Sequence, residues 1–313
     1  MQGILTKSPG DVMSMSLLPD VFEGETPNID LHMHSTASDG RLSPTALVEL
    51  CHQRELRWVA LTDHDTMDGV DEARVRGREL GVEVLPASEL SSQWRGINIH
   101  VVGLLPDGAQ GPMIEGLVSQ AQARDQRSSV IAKRLEKLGL SDALARARAQ
   151  AGGDRPLGRP DFARALVEAG LVVDMKSAFA KYLGNGKIGD VKAMWPYLSE
   201  VVGWIVAAGG VAALAHPLHY GLTRRKRGLL LDDFRAAGGQ AAELVSGFQN
   251  PDVTRDLARQ LQDRELYGSI GSDFHFPGGH LAPGSMSPVP RTAVLPVWTH
   301  PRLRAFFQEQ LLA

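Results

Sequence analysis

Short apolar runs alternate with helical patterns along most of this chain, and this alternation restricts the fold more than any other feature. Ser43 and Pro44 mark one helix start, because serine caps free N–H groups and proline fits the first turn. Gly81 marks a helix end, where a left-handed residue is favoured. Seven strands are predicted, at 29–32, 58–62, 82–86, 97–105, 211–215, 241–245 and 266–270. This order is typical of an α/β fold with a mostly parallel sheet covered by helices.

The alternation is interrupted between residues 106 and 198. Helical patterns occupy 113–138, 141–150, 160–169 and 175–183, and no strand is predicted before 211. We therefore predict an inserted helical subdomain over 106–198 that separates two parts of one domain, 28–105 and 199–313. Residues 1–27 carry scattered apolar residues and several charges, so a poorly ordered tail is expected rather than a secretion signal.

Composition excludes several classes of protein. With 43% hydrophobic and 22% charged residues, the chain has enough apolar side chains for a large core. Its one cysteine, Cys51, excludes an intramolecular disulfide framework and a cysteine zinc cluster. A formal net charge of −3 gives no global electrostatic reason for non-specific nucleic-acid binding. No apolar run approaches the roughly 18 residues of a membrane span, and a cytoplasmic location is expected.

Histidines and carboxylates recur where the predicted strands end. They are His32 and His34, then Asp63, His64 and Asp65, then Glu89, His216, Asp273 and His275, with His100 inside the fourth strand. Side chains two residues apart in extended chain point to the same face, so His32 and His34 share one face. Functional groups of strand–helix folds gather at the carboxyl ends of the strands. We therefore expect these side chains to lie on one rim.

Each of these residues alone has an ordinary structural explanation. A single histidine at a strand end is usually a hydrogen-bonded core or surface residue, and Asp39-Gly40 fits a simple turn. Recurrence along successive strands changes this interpretation, because desolvated carboxylates packed together repel one another unless a cation is present. Imidazole and oxygen ligands without thiolates suit Mn²⁺, Zn²⁺ or Fe²⁺. The sequence therefore predicts a metal cluster on this rim.

Six motifs together resemble the polymerase-and-histidinol-phosphatase (PHP) family of metal-dependent phosphoesterases. They are 30–40 (DLHMHSTASDG), 61–65 (LTDHD), 86–89 (PASE), 100–104 (HVVGL), 215–217 (AHP) and 271–275 (GSDFH). The resemblance implies a distorted seven-stranded, TIM-like β/α barrel, with the inserted helical subdomain capping the substrate. It also implies three divalent metal ions as cofactors, with Mn²⁺ as the expected ion and Zn²⁺ or Fe²⁺ as alternatives.

The same motifs imply a ligand set for the three ions. The implied groups are His32, His34, Glu89 and Asp273 for a first metal, Glu89, His100 and His216 for a second, and Asp39, His64 and His275 for a third. The implied nucleophile is a water between the first two metals, held by Glu89 with His216 and Asp273 beside it. Attack in line on phosphorus is the expected reaction.

Stretches in and after the insertion resemble one branch of that family, which contains 3′,5′-nucleoside bisphosphate phosphatases and a 5′-to-3′ exoribonuclease. They are 158–164 (GRPDFAR), 181–183 (KYL), 201–205 (VVGWI), 222–224 (LTR) and 233–239 (DFRAAGG). Two positions depart from the branch pattern. Asp161 stands where histidine is usual, and 188–191, which contains Asp190, replaces a Pro-x-Tyr-Val stretch. A carboxylate at 161 would repel a nearby phosphate unless a cation neutralised it.

The branch resemblance implies a phosphoric ester hydrolase. Its expected substrates are nucleoside 3′,5′-bisphosphates, which lose the 3′-phosphate, and short 5′-phosphorylated RNA, which is trimmed from its 5′ end. Alternatives left open are a phosphatase for another small metabolite such as histidinol phosphate and a non-catalytic metal-binding module. No membrane or obligate protein partner is expected.

Four residues are candidates for substrate binding. Arg159 precedes a predicted helix start, which favours an anion, and Arg224 begins the basic run 224–227 after the His216 strand. His219 and Lys181 are the other two candidates. His219 and Asp65 are also weak candidates for the general acid.

Overall fold

The computed structural model describes residues 18–24, 27–191 and 194–308. Seven strands form one sheet in chain order: β1 Ile29–Met33, β2 Trp58–Leu61, β3 Glu83–Trp94, β4 Ile97–Leu104, β5 Val211–Leu214, β6 Ala241–Ser246 and β7 Tyr267–Gly271. The helices of the described residues are α1 Pro44–Gln53, α2 Val70–Leu80, α3 Pro112–Glu136, α4 Ala143–Ala151, α5 Arg159–Glu168, α6 Met175–Ala178, α7 Leu198–Ala207, α8 Arg224–Ala236, α9 Pro251–Gln262 and α10 Pro301–Gln308. No helix in this part of the chain is long and apolar enough to cross a bilayer.

The sheet curves into a nearly closed barrel. Strands β1 to β3 pair in parallel, as do β5 to β7, while β4 runs antiparallel to both of its neighbours. Two backbone hydrogen bonds of 2.8 Å, from His34 to Phe274 and from Asp273 to His32, join β1 to the segment after β7. The distorted TIM-like barrel predicted from the sequence is therefore confirmed.

The pairing of β3 with β4 differs from the sequence-based expectation. The predicted third strand ended at 86, whereas β3 continues to Trp94 and turns directly into β4. The two connecting residues, Arg95 and Gly96, both have positive φ, 47° and 74°, as in a tight hairpin turn whose twist matches the strands. His100 lies inside the fourth strand, as predicted, and faces Ser91 across the antiparallel pair.

Close approach of two strands is what closes the barrel. A Cβ added to Gly271 in β7 would lie 2.4 Å from the Cβ of His32 and 2.7 Å from its backbone nitrogen. A side chain at position 271 would require one of the two strands to shift, and glycine allows β7 to lie against β1 at the level of the first candidate ligand.

The helices between β4 and β5 form an apolar cluster of their own. Ile131 and Leu135 of α3 pack there with Phe162 and Leu166 of α5, all buried. The predicted helix 175–183 is divided into α6 and a π-helical turn, Phe179–Leu183. These helices lie beside the barrel and supply several of the side chains described below.

Two sequence-based expectations need correction. The predicted disordered tail 1–27 includes residues 18–24, where Phe22 is buried and packs edge-on against Trp298 at a centroid distance of 5.4 Å; residues 1–17 and 25–26 lie outside the described residues. The basic run 224–227, expected as a loop on the rim, forms the first turn of α8. The hydroxyl of Thr223 caps this turn by accepting from the amide of Lys226.

Candidate active site

The nine side chains predicted as metal ligands lie together at one end of the barrel. Their ligand atoms form overlapping sets within 4.8 Å: His34, Asp39, His64 and His275; His32, His34 and Asp273; and His64, Glu89 and His100. His216 completes the cluster, with its Nε2 2.8 Å from Glu89 Oε1. Strand ends from both halves of the barrel, together with the middle of β4, therefore converge on one place.

Glu89 is the centre of this cluster. One carboxylate oxygen, Oε1, lies 2.9 Å from His100 Nδ1 and 2.8 Å from His216 Nε2. The other oxygen, Oε2, lies 3.3 Å from the Nε2 atoms of both His32 and His34. Because its two oxygens face different imidazoles, this carboxylate can bridge two cations.

Asp39 faces the other side of the cluster. Its Oδ1 lies 3.4 Å from His275 Nε2, and its Oδ2 lies 3.8 Å from His64 Nε2. The same Oδ1 lies 3.9 Å from His34 Nδ1, and neither of these two buried atoms has a hydrogen-bond partner. Two buried polar atoms that lack hydrogen-bond partners are unfavourable, and a cation bound between them would interact with both.

Carboxylates and imidazoles of the cluster shift one another's pKa in the direction that favours the charged forms. Burial alone would raise the pKa of Asp39, but the charges of His64 and His275 hold it well below its usual range. Burial would lower the pKa of His275, but Asp39 and then Asp273 raise it to about 10. The Asp39 carboxylate thus stays ionised, as metal ligation requires.

Buried acids behind the cluster fix its geometry. Glu243 of β6 places Oε1 2.6 Å from His32 Nδ1, and its Oε2 accepts from the His216 amide at 2.6 Å. Asp63 accepts from the amide of Ser35 at 2.8 Å and from the hydroxyl of Ser38 at 2.5 Å. Sequence reasoning missed the role of Glu243, although a single acid inside the apolar run 241–245 was an available signal.

Two of the candidate ligands occupy strained backbone positions. His216 has a φ of 28° and Asp273 a φ of 56°, a region that residues other than glycine seldom adopt. In these conformations the His216 amide donates to the Glu243 carboxylate and the Asp273 amide donates to the His32 carbonyl. Such strain is characteristic of functional sites, where the surrounding structure imposes it.

A cavity of about 210 Å³ opens beside the cluster and contains three arginines. Arg124 and Arg127 come from α3 and Arg159 from α5, and the guanidiniums of the first two lie over the ring of Trp195 at 5.5 and 5.3 Å. Arg124 is neutralised by Asp65, which accepts from its Nε at 2.6 Å. The cavity therefore presents positive charge directly next to Asp39, His64 and His275.

Arg127 is the most unusual of these arginines. Its side chain is buried, and its Nε has no hydrogen-bond partner among the described residues. Burial, with the neighbouring charges of Arg159 and Arg124, lowers the pKa of Arg127 to about 9. A buried cation beside two further cations is costly unless an anion joins it, so the cavity is suited to a phosphate group. Arg124 and Arg127 were not among the sequence-based candidates.

The predicted substrate-binding residues have different positions. Arg159 lines the arginine cavity, and its Nη1 donates to the Leu183 carbonyl at 3.2 Å. His219 stacks on His216 with a centroid distance of 5.4 Å. Arg224 instead pairs with Asp256 on α9 at 2.8 Å, and Lys181 lies over the ring of Tyr182.

Neither Arg224 nor Lys181 lines the two cavities that adjoin the cluster in the described structure. The role of Arg224 stays a prediction; its basic run is helical, and its guanidinium has a local acidic partner, Asp256. Asp65 is also unsuited to proton donation, since Arg124 and Ser91 engage both of its oxygens.

The two departures from the branch pattern also have defined surroundings. Asp161 is buried and accepts from Arg155, Arg164 and the amide of Gly158. Two arginines, Arg155 and Arg164, therefore neutralise the carboxylate of Asp161. Asp190 accepts from the amides of Asn98 and Gly186, and its charge acts on both Arg127 and Arg159.

Comparison with known proteins gives a consistent result. The PHP domain model matches residues 30–138. A 5′-3′ exoribonuclease of Haemophilus influenzae is 42% identical over 273 residues, covering 87% of this chain and 98% of the relative. A 3′,5′-nucleoside bisphosphate phosphatase of Chromobacterium violaceum is 40% identical, covering 80% of this chain and 88% of the relative.

A solved structure shows the same overall fold. It is described as an amidohydrolase from Chromobacterium violaceum with bound sulfate and no metal. It superposes with a TM-score of 0.82 at 38% identity and covers 90% of this chain and 97% of its own. The similarity thus extends over the barrel and the inserted helices.

Proposed function

The chain belongs to the PHP family, and from this premise we propose that it is a metal-dependent phosphoesterase acting on nucleotides. It removes the 3′-phosphate of nucleoside 3′,5′-bisphosphates and trims 5′-phosphorylated RNA from its 5′ end. The names of its relatives support both activities. In each reaction the cleaved ester lies on the 3′ side of a nucleotide that carries a 5′-phosphate.

The residues of the cluster fit divalent metal ions. Six imidazoles and three carboxylates gather without a thiolate, a donor set suited to Mn²⁺, with Zn²⁺ or Fe²⁺ as alternatives. The unpartnered atoms of His34 and Asp39 support the same assignment. The proposed sets for three ions are His32, His34, Glu89 and Asp273; Glu89, His100 and His216; and Asp39, His64 and His275. Divalent ions in such a centre supply an acidified water as nucleophile and offset the charge of the phosphoester.

The chain's own residues organise the reaction around that centre. Glu89, with His216 and Asp273 on either side, sets where the nucleophile stands. Glu243 fixes the His32 ring from behind, so that its Nε2 faces Glu89 and Asp273. The arginine cavity, adjoining on the side of Asp39, receives the second phosphate of the substrate. The substrate is thereby held at two anionic groups, which fixes the ester bond at the cluster.

The observation that carries this assignment is the buried Arg127, whose Nε has no hydrogen-bond partner among the described residues, next to the nine-residue ligand cluster. A phosphomonoesterase needs one phosphate site, which the cluster supplies. A second, buried cationic site beside the cluster matches a substrate that carries a second phosphate. Nucleoside 3′,5′-bisphosphates and 5′-phosphorylated RNA both carry one, whereas histidinol phosphate does not.

Arg127→Gln tests this assignment. Loss of a charge-assisted contact is expected to lower kcat/KM for a nucleoside 3′,5′-bisphosphate by about 10- to 100-fold. The rate for a nucleoside 3′-monophosphate, which has no group for this cavity, should stay within about two-fold. Both rates are measured as phosphate release with Mn²⁺ present.

The matched control is Arg224→Gln, because Arg224 is exposed and paired with Asp256. It should leave both rates unchanged. Equal losses on both substrates in the Arg127 variant, or no loss on either, would contradict a role for the cavity in binding the second phosphate.

A further inference from the structure

A second, larger cavity adjoins the cluster beside the arginine cavity. It measures about 520 Å³ and is lined largely by apolar side chains, with Met175, Phe179, Phe276 and Pro277 among them. We call these residues, with Arg41 and Arg164, the aromatic groove. None of these residues has a part in the proposed function.

The groove is continuous with the candidate active site. Asp39 and His275 line both this groove and the arginine cavity, as do Pro160 and Phe179. Phe276 directly follows the candidate ligand His275, and 54% of its side chain is exposed. A ligand leaving the cluster on this side therefore meets an exposed aromatic ring at once.

The edge of the groove is positively charged. Arg41 is exposed and its amide donates to the His275 carbonyl at 2.8 Å, which holds it beside the cluster. Arg164 is half-buried and pairs with Asp161; burial lowers the pKa of Arg164, and the charge of Arg41 lowers it further. An apolar ring flanked by cations is the combination that binds single-stranded nucleic acid, through base stacking and phosphate contacts.

We infer that the aromatic groove binds the nucleotide on the 3′ side of the cleaved phosphodiester, with its base on Phe276 and its own 3′-phosphate near Arg41. This inference rests on the proposed function. The 5′-phosphate occupies the arginine cavity and the cleaved ester lies at the cluster, so the remaining RNA leaves by the groove. A nucleoside 3′,5′-bisphosphate ends at the cleaved phosphate and does not reach the groove. The groove therefore distinguishes RNA from the small substrate.

Phe276→Ala separates the two activities. Because base–aromatic stacking contributes about 10- to 100-fold in affinity, kcat/KM for a short 5′-phosphorylated oligoribonucleotide should fall by that factor. The value for a nucleoside 3′,5′-bisphosphate should change less than about two-fold. Phe276→Trp should retain RNA cleavage, because tryptophan also offers a stacking surface. Arg41→Gln should weaken RNA cleavage alone and reduce its dependence on salt.

Phe248→Ala is the matched control. Phe248 is 59% exposed and does not line the groove, so both activities should remain as in the unmodified enzyme. Equal losses on both substrates in Phe276→Ala, or unchanged RNA cleavage, would overturn the inference. If the unmodified enzyme hydrolyses the bisphosphate but not the oligoribonucleotide, the groove inference fails while the phosphatase assignment stands. If it hydrolyses neither, the proposed function itself fails.

Discussion

At the scale of single residues, Glu243 connects two candidate ligands from behind. One oxygen lies against the His32 ring and the other accepts from the His216 amide, both at 2.6 Å. Side chains that hold ligating histidines in this way set the ring orientation and increase the basicity of the ligand. Glu243 is buried, so no water can readily replace either contact.

Replacing this acid by its amide should weaken metal binding. A glutamine in Glu243→Gln can accept one of the two hydrogen bonds, but its NH₂ group would then face the other donor. We expect the affinity for Mn²⁺ to fall by about 10- to 100-fold, measured by titration calorimetry. Glu265→Gln, at an exposed glutamate paired with Arg235, is the control. An unchanged affinity in Glu243→Gln would show that this acid does not orient the cluster.

Some site residues could be found from sequence and others could not, for a physical reason. Most of the nine candidate ligands stand out because they recur where predicted strands end, whereas the full set and its division among three ions came from the resemblance to the PHP family. Arg124 and Arg127 lie in a long polar helix, where a cation facing a cavity has the same pattern as one facing solvent. Their orientation depends on how α3 packs beside Trp195, and that packing is not encoded in local spacing.

At the scale of elements, the contact between β7 and β1 places the first ligands. Gly271→Ala would put a Cβ 2.4 Å from that of His32, so one of the two strands must shift. We expect a loss of about 1–3 kcal/mol in the free energy of unfolding, measured by urea denaturation.

A glycine with free space around it provides the comparison for that substitution. In Gly203→Ala, within α7, the new methyl group has no atom within 4 Å. Alanine is the better helix former, so this variant should be as stable as the unmodified chain or more so. A Gly271→Ala protein of unchanged stability would show that the barrel closes without this close approach.

Element boundaries illustrate a second limit of sequence reasoning. The buried parallel strands were predicted within a few residues because continuous apolar runs mark them. The second half of β3 contains Ser91, Ser92 and Gln93, whose polarity concealed a strand that pairs with β4. These polar groups are satisfied by Asp65 and by backbone carbonyls of residues 195 and 196, contacts between distant parts of the chain.

At the scale of the whole molecule, two parts supply two kinds of charge. Barrel strands and the loops that follow them provide the imidazoles and carboxylates of the cluster. Helices α3 and α5, from the predicted insertion, provide Arg124, Arg127 and Arg159. The substrate must contact both parts. We therefore expect the relative position of the helices and the barrel to affect substrate specificity more than metal binding.

The most direct test of this account is the number of metal ions bound per chain. Elemental analysis after equilibration with Mn²⁺ and removal of free ion should give about three ions per chain in the unmodified protein, one for each ligand group. In Glu89→Ala the ratio should fall by at least one, because Glu89 faces five of the imidazoles. A ratio of one or less in the unmodified protein, or an unchanged ratio in the variant, would contradict a multinuclear centre built around Glu89.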